Sequence, residues 1–113
     1  MMIFLVSLWL FWTAPGDDGN VGQASAYDLR AAQDSATVAD WTGATPLSGL
    51  QAPAPAGQPE SVLVSNVPEN DTLWFAIKTR DEADNWSPIS NILRRTTLDT
   101  VPPAAVVDLR GAR

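Results

Sequence analysis

The amino-acid sequence predicts an all-β antiparallel sandwich built around one hydrophobic core. Short runs in which apolar and polar residues alternate recur along the chain, and clusters of Pro, Gly, Asn and Asp separate them. No stretch of helix length shows apolar residues at a period of 3.6. With 113 residues, the chain is long enough for one domain and too short for two.

The first predicted strand covers residues 5–13 and belongs to an almost wholly apolar run. Alternation along a strand directs three side chains toward the core: Leu8, Leu10 and Trp12. It turns two aromatic side chains outward: Trp9 and Phe11. A degenerate secretory signal or anchor is the alternative interpretation, but no basic segment or cleavage site is visible before Pro15. The run stops near a dozen residues, whereas a membrane span needs about 20, so we favour the strand and expect no membrane association.

Further strands follow the loop at residues 14–23. We predict them at residues 27–30, 36–47, 60–67, 73–80 and 89–97, with Trp41 anchoring the second of these and a stiff Pro-rich connection at residues 52–59. The predicted inward side chains are Tyr27, Leu29, Val62, Val64, Val67, Leu73, Phe75, Ile77 and Thr79. The strand at residues 73–80 should leave four side chains outside: Trp74, Ala76, Lys78 and Arg80. The last strand alternates too poorly for its faces to be assigned.

Composition excludes several classes of function. The net charge of −6 and pI near 4.2 argue against a nucleic-acid partner, which requires a basic patch. The chain has no Cys and no His, so disulfides, thiolate sites and imidazole-dependent catalysis or zinc binding are not available to it. Its carboxylates fall almost wholly in predicted turns, so we expect no catalytic site and no cofactor.

Two stretches resemble parts of the fibronectin type III repeat found in bacterial secreted and cell-surface multidomain proteins. They are residues 11–20 (FWTAPGDDGN) and residues 75–87 (FAIKTRDEADNWS), and the resemblance extends over about residues 5–97. It implies an immunoglobulin-like antiparallel β-sandwich that lacks its first strand and is incomplete at the N-terminus. Residues 1–97 would form this domain, and residues 98–113 would form a linker and the start of a following repeat.

The resemblance also implies a function. Such repeats are non-catalytic spacer or docking modules of larger extracellular or cell-surface proteins, with neighbouring domains of the same polypeptide as partners. The alternative is a carbohydrate- or protein-binding accessory domain of a secreted hydrolase. Two inward positions depart from the family, which carries Tyr where this chain has Ala31 and Leu73. The hydroxyl that ties the corner tyrosine to the backbone is therefore missing at Leu73.

Two groups of residues are candidate sites. In the fold implied by the resemblance, two acidic loops lie at the same end, and carboxylates at that density could hold Ca²⁺: Asp17, Asp18, Asp81, Glu82 and Asp84. The simpler interpretation, which we prefer, is that these residues cap their own turns, so that no metal binds. Surface aromatics form the second group and could stack on a sugar or a peptide: Trp74, Trp86 and Trp41.

Residues 104–109 resemble the first strand that this copy lacks. We predict that they do not fold back on residues 5–13, because Pro102 and Pro103 hold the preceding chain extended. The segment should project from the domain, where it could begin the next repeat or pair with the open edge of another molecule.

Overall fold

A computed structural model describes residues 5–16, 22–68, 71–97 and 104–111. This part of the chain is 47% strand and 6% helix, which confirms the predicted all-β class. Its elements, in chain order, are β1 (Leu5–Thr13), β2 (Ala26–Ala32), α1 (Ser35–Asp40), β3 (Thr45–Pro46), β4 (Pro59–Pro68), β5 (Thr72–Arg80) and β6 (Leu93–Thr96). No helix in the described ranges is long and apolar enough to cross a membrane.

The strands form two antiparallel sheets. One sheet contains β1 and β4, and the other has the strand order β3-β2-β5-β6. Both sheets contribute side chains to one buried cluster: Leu10, Leu29, Ala31, Val62, Val64, Val67 and Phe75. Because this cluster lies between the sheets, the architecture is that of a two-layer sandwich.

Most of the predicted inward positions agree with this core, although Tyr27 and Thr79 are only partly buried and are not members of the cluster. Phe75 is only 2% exposed, and Leu8, Trp12, Leu73 and Ile77 pack against the cluster from its periphery. Trp9 and Phe11 lie on the outer face of β1, as the alternation predicts. Period-2 alternation was therefore the main signal for this core.

A β-bulge in β4 explains how both Val64 and Val67 face the core although three positions separate them. The register changes from Leu8 opposite Val64 to Val6 opposite Val67, so that β4 carries one extra residue. Asn66 has φ of 60°, in the left-handed region that Asn tolerates better than most residues. The bulge keeps Val67 at 4% exposure where strict alternation would have turned it outward.

The prediction of a strand at residues 36–47 is wrong over most of its length. Residues 35–40 form α1, whose first turn is capped by Asp34: its carboxylate accepts hydrogen bonds from the Thr37 backbone N–H at 2.6 Å and from the Thr37 hydroxyl at 2.9 Å. These bonds lower the pKa of Asp34 below its ordinary value. The capping signal outweighed the β propensity of Thr37 and Val38.

The outer face of β5 is also less exposed than alternation alone predicts. Val38 of α1 is fully buried and packs with Ala44 and with Ala76, which is 3% exposed. Trp41 and Trp74 pack against this second, smaller cluster. Trp74 and Ala76 thus face away from the main core as predicted, but the expectation that they lie outside in solvent is wrong, because the short helix covers that face of the sheet.

The last predicted strand is shorter than expected, since only Leu93–Thr96 pairs with β5. Before it, the chain is held to β5 partly through serine side chains. The hydroxyl of Ser87 accepts a hydrogen bond from the Thr79 N–H, and that of Ser90 accepts one from the Ile77 N–H, both at 2.9 Å. Serine hydroxyl oxygens therefore take the place of backbone carbonyls as acceptors for these two N–H groups of β5.

A cleft of about 510 Å³ includes both Ala31 and Leu73 in its lining. These are the two positions where the resembling family carries Tyr. Both side chains therefore border open space on one side instead of close-packed neighbours.

At one end of the core, Tyr27 and Trp12 pack edge to face with ring centroids 5.2 Å apart. Neither the Tyr27 hydroxyl nor Trp12 Nε1 has a partner with hydrogen-bond geometry in the described part of the chain. Burial, opposed by Trp12 and reinforced by the negative charge of Glu60, raises the pKa of Tyr27 to about 12. The folded state thus favours the neutral phenol.

We expect the protein to lose stability as pH rises from about 10, the ordinary pKa of tyrosine, toward about 12. Because the folded-state pKa is the higher one, this contribution to stability is complete below pH 10 and disappears above it. The chain contains a single Tyr, so phenolate absorbance reports this group alone. A folded-state midpoint near 10, or a Tyr27→Phe variant with the same alkaline loss of stability, would contradict the assignment.

Candidate functional site

The three candidate tryptophans are associated with one face of the four-stranded sheet, opposite the main core. Trp74 lies on β5, Trp41 follows the last residue of α1, and Trp86 forms an isolated bridge with Arg80. On β5, Lys78 and Arg80 share the face of Trp74 because side chains alternate along a strand. We call these residues, together with Arg30 and Arg94, the cation–aromatic face.

Trp41 contacts two cations. The Arg30 guanidinium carbon lies 4.8 Å and the Lys78 Nζ 4.9 Å from the centroid of the Trp41 ring, within the range of cation–π attraction. Arg30 also donates to both carboxylate oxygens of Asp28, at 3.1 and 3.0 Å, and to the Trp41 carbonyl at 3.1 Å. The bonds to Asp28 raise the pKa of Arg30 further above its ordinary value.

These contacts hold Trp41 in an unusual backbone conformation. Its φ of 71° and ψ of −50° resemble those of a strained γ-turn, and the Thr42 N–H bonds to the Asp40 carbonyl at 2.8 Å across it. The Trp41 N–H donates to the carbonyls of Thr37 and Val38 at 3.1 Å each. Bonds at both the amide and the carbonyl, together with the packed ring, over-determine this conformation and offset its strain.

The other two tryptophans have one cation each. Arg94 lies 5.9 Å from the Trp74 ring, directly opposite it across the strands, and Arg80 lies 5.8 Å from the Trp86 ring. Arg80 also forms an ion pair with Asp84 at 3.2 Å. Trp86 is the most exposed of the three, at 47%, whereas Trp41 and Trp74 are only partly exposed. The structure therefore leaves Trp86 as the most accessible stacking candidate.

In the acidic loop after β5, Asp81 organises the backbone. Its carboxylate accepts hydrogen bonds from the N–H groups of Ala83 at 2.9 Å and Asn85 at 2.8 Å, and from the Asn85 side-chain amide at 3.1 Å. The bonds from Asn85, followed by the bond from Ala83, lower the pKa of Asp81. This is the turn-capping arrangement that the simpler interpretation predicted.

The other described members of the acidic group do not form a metal site with Asp81. Glu82 is exposed, and Asp84, with φ of 62°, is paired with Arg80. Asp17 and Asp18 lie outside the described residues. Within the described ranges, no group of three His, Cys, Asp or Glu side chains is placed to hold a metal ion.

We expect millimolar Ca²⁺ to leave the melting temperature unchanged, since Asp81 and Asp84 already have partners within the chain. A micromolar site would stabilise the fold by about 4 kcal/mol at that concentration, which corresponds to an increase of roughly 15–30 °C. Differential scanning calorimetry with Ca²⁺, with Mg²⁺ as the control ion, and with chelator measures this. An increase that only Ca²⁺ produces and chelator reverses would restore the metal site.

Sequence reasoning identified the aromatic members of the cation–aromatic face but missed its cations. A usable signal existed, because Lys78 and Arg80 alternate with Trp74, and Asp28 and Arg30 lie two positions apart on β2. No sequence pattern indicated the hydrogen bonds that Ser87 and Ser90 accept from β5. These bonds depend on the path of the irregular segment before β6, which runs beside that strand.

Comparison with known proteins gives one partial similarity. No protein-family model matches the chain, and no solved structure matches it. Calcium-activated chloride channel regulator 4 of Homo sapiens is 31% identical to it over 96 residues, which cover 77% of this chain and 10% of that protein. The chain thus corresponds to about a tenth of the length of this much longer relative.

Proposed function

We propose that this chain is a non-catalytic spacer or docking module of a larger extracellular or cell-surface protein. The observation that carries the proposal is the share of each chain that is aligned: 77% of this chain aligns with only a tenth of a long relative. A segment that matches one small part of a much longer protein is what a reusable domain produces. Its partners would be the neighbouring domains of the same polypeptide, with a protein or a polysaccharide as a further possibility.

The sheet order supports the finer assignment to an immunoglobulin-like sandwich of the fibronectin type III kind. If β1 and β4 correspond to strands B and E of that fold, then β3, β2, β5 and β6 correspond to C′, C, F and G. The two sheets would then be the B–E part of one layer and the complete C′-C-F-G layer.

The contacts on the outer face of the larger sheet suit a spacer. Arg30 joins β2 to the segment after α1, Lys78 joins that segment to β5, and Arg80 joins β5 to Trp86 in the following loop. Asp81 then fixes that loop through three hydrogen bonds. These contacts restrict the loops at the domain surface, so the module should transmit a fixed distance and orientation between its neighbours.

Single-molecule energy transfer tests this proposal. With the chain fused between a donor and an acceptor fluorescent protein, we expect one narrow distance distribution. A Gly/Ser linker of equal length, which behaves as a flexible coil, should give a broad distribution. Phe75→Ala should broaden the distribution by unfolding the domain, whereas Phe11→Ala should leave it narrow. A broad distribution for the unchanged chain would contradict a spacer role.

Trp86 supports the alternative of an accessory binding domain, because its exposed ring beside Arg80 could stack on a sugar or a peptide. Affinity electrophoresis in gels containing soluble polysaccharides tests this. Retardation that Trp86→Ala removes and Trp9→Ala preserves would favour the alternative, since both side chains are about half exposed. If polysaccharide retards neither the unchanged chain nor the two variants, the spacer role is favoured.

A further inference from the structure

Strand β1 has one open edge. Among the described residues it pairs only with β4, so its second row of backbone N–H and C=O groups has no strand partner. An unpaired sheet edge is a template for another extended segment. The β1–β4 layer is also narrower than the four-stranded layer it covers, which leaves part of the opposite sheet's inner face without a facing strand.

A cleft of about 550 Å³ includes residues of β1 in its lining. Its walls come from both layers and consist largely of apolar core side chains, among them Leu10, Trp12, Phe75, Ile77 and Leu93. An extended segment placed along β1 could therefore form backbone hydrogen bonds with that strand while alternate side chains enter the cleft.

The outer face of the same layer is apolar as well. Trp9 is 56% exposed, Phe11 74% and Leu63, which lies opposite Trp9 on β4, 42%. The rings of Trp9 and Phe11 stack with their centroids 6.4 Å apart. Exposing aromatic side chains and an unpaired strand edge to water is unfavourable for a single molecule. Such a surface therefore favours association with another chain.

The chain itself contains a segment with matching properties. Residues 104–111 belong to no strand or helix, and the apolar side chains there are almost fully exposed: Val106 75%, Val107 93% and Leu109 90%. In an extended conformation, Val107 and Leu109 share one face with Ala105, and Val106 lies on the other face. One face of the segment would therefore be wholly apolar.

We propose that residues 104–109 of a second copy of this chain dock as an added strand along the open edge of β1. Ala105, Val107 and Leu109 enter the cleft, and Val106 lies beside Phe11 on the outer face. Within the described part of the single chain both surfaces are exposed and unpaired, so a second copy supplies to each molecule the surface that the other lacks. Reciprocal docking closes a twofold dimer in which both open edges are covered.

The area available is sufficient for a specific dimer. A six-residue extended segment of this composition exposes roughly 800 Å². If docking removes about 500 Å² of that from water and a similar area from the cleft and the β1 edge, two reciprocal contacts bury roughly 2,000 Å². This value is at the upper end of the standard range for stable protein–protein interfaces.

Sedimentation equilibrium of the full chain over a concentration series tests the proposal. We use moderate salt because each copy carries a net charge of −6. We expect a monomer–dimer equilibrium in which the double variant Val107→Asp/Leu109→Asp raises the dissociation constant at least about tenfold, because it would bury carboxylates in an apolar cleft. Asp108→Asn, on the opposite face of the segment, is the matched control and should keep the dimer. Phe11→Lys should weaken the dimer from the acceptor side, while its exposed position leaves the fold intact.

A second measurement identifies the docking surface. In hydrogen exchange, the amides of β1 should gain protection as the concentration of unchanged protein rises. They should also gain protection when a synthetic peptide of residues 104–111 is added to the monomeric double variant. A chain that stays monomeric at millimolar concentration, a dimer that the double variant preserves, or protection of β1 that does not depend on concentration would each overturn the proposal. The last outcome would show that the segment docks on its own chain.

Discussion

Replacing Phe75 by Ala is expected to lower the free energy of unfolding by about 3–5 kcal/mol. Phe75 is the largest fully buried side chain of the main core, at 2% exposure. It lies between the two sheets, and its neighbour across the strands is Ala31 on β2. Two clefts already border this residue, so few neighbouring side chains can move into the cavity that the substitution creates. For a domain of this size the loss lowers the melting temperature by roughly 12–40 °C, which is enough to unfold most of the protein at physiological temperature.

Phe11→Ala is the matched control, because it is the same chemical change on a side chain that is 74% exposed. Chemical denaturation followed by tryptophan fluorescence measures both variants. We expect Phe11→Ala to change the free energy of unfolding by less than about 0.5 kcal/mol. Similar losses for the two variants would mean that Phe75 does not occupy the centre of the core.

Replacing Trp41 by Ala is expected to have the second largest effect, a loss of roughly 2–4 kcal/mol. The change removes the packing of the ring against the cluster around Val38 and both of its cation contacts, to Arg30 and Lys78. The strained backbone at φ of 71° would remain without the contacts that hold it. Trp41→Gly should be roughly 1 kcal/mol more stable than Trp41→Ala, because Gly adopts positive φ without a steric penalty.

Trp86→Ala is the control for this series, since it deletes a more exposed indole with a single, longer cation contact. We expect it to cost less than about 1 kcal/mol. Thermal unfolding of the three variants under one set of conditions gives the comparison. A loss at Trp41 that is as small as the one expected at Trp86 would contradict the assignment and would mean that the cation–aromatic face contributes little to stability.

Alternation along strands predicted the main core, and the structure shows why it succeeded. Each layer of the sandwich turns one face to the main core, so Leu10 or Phe75 is inward wherever its strand is regular. The turn chemistry of Asp81 was also readable, because Asp is a residue that bonds to its own following backbone. These are local rules that need no knowledge of tertiary contacts.

Apart from the local cap at Asp34, the features that were mispredicted depend on contacts between elements distant in sequence. Residues 36–47 contain strand-forming side chains, and the end of α1 is fixed by Arg30 reaching the Trp41 carbonyl from β2. The burial of Ala76 depends in turn on Val38 of that helix. Sequence periodicity describes one element at a time, so it could not predict that a helix of six residues would cover the second face of the sheet.

The pairing of β1 with β4 has a consequence for the order in which the protein folds. Leu10 pairs with Val62, so a long stretch of chain must be closed before this contact can form, and a two-stranded ribbon has little stability of its own. The β1–β4 ribbon becomes stable only after β2, β5 and β6 have formed the sheet against which Val62, Val64 and Val67 pack. Folding should therefore be polarised, with the larger sheet structured in the transition state and the ribbon added late. Substitutions in the ribbon would then mainly accelerate unfolding, while substitutions in β2 or β5 would slow folding.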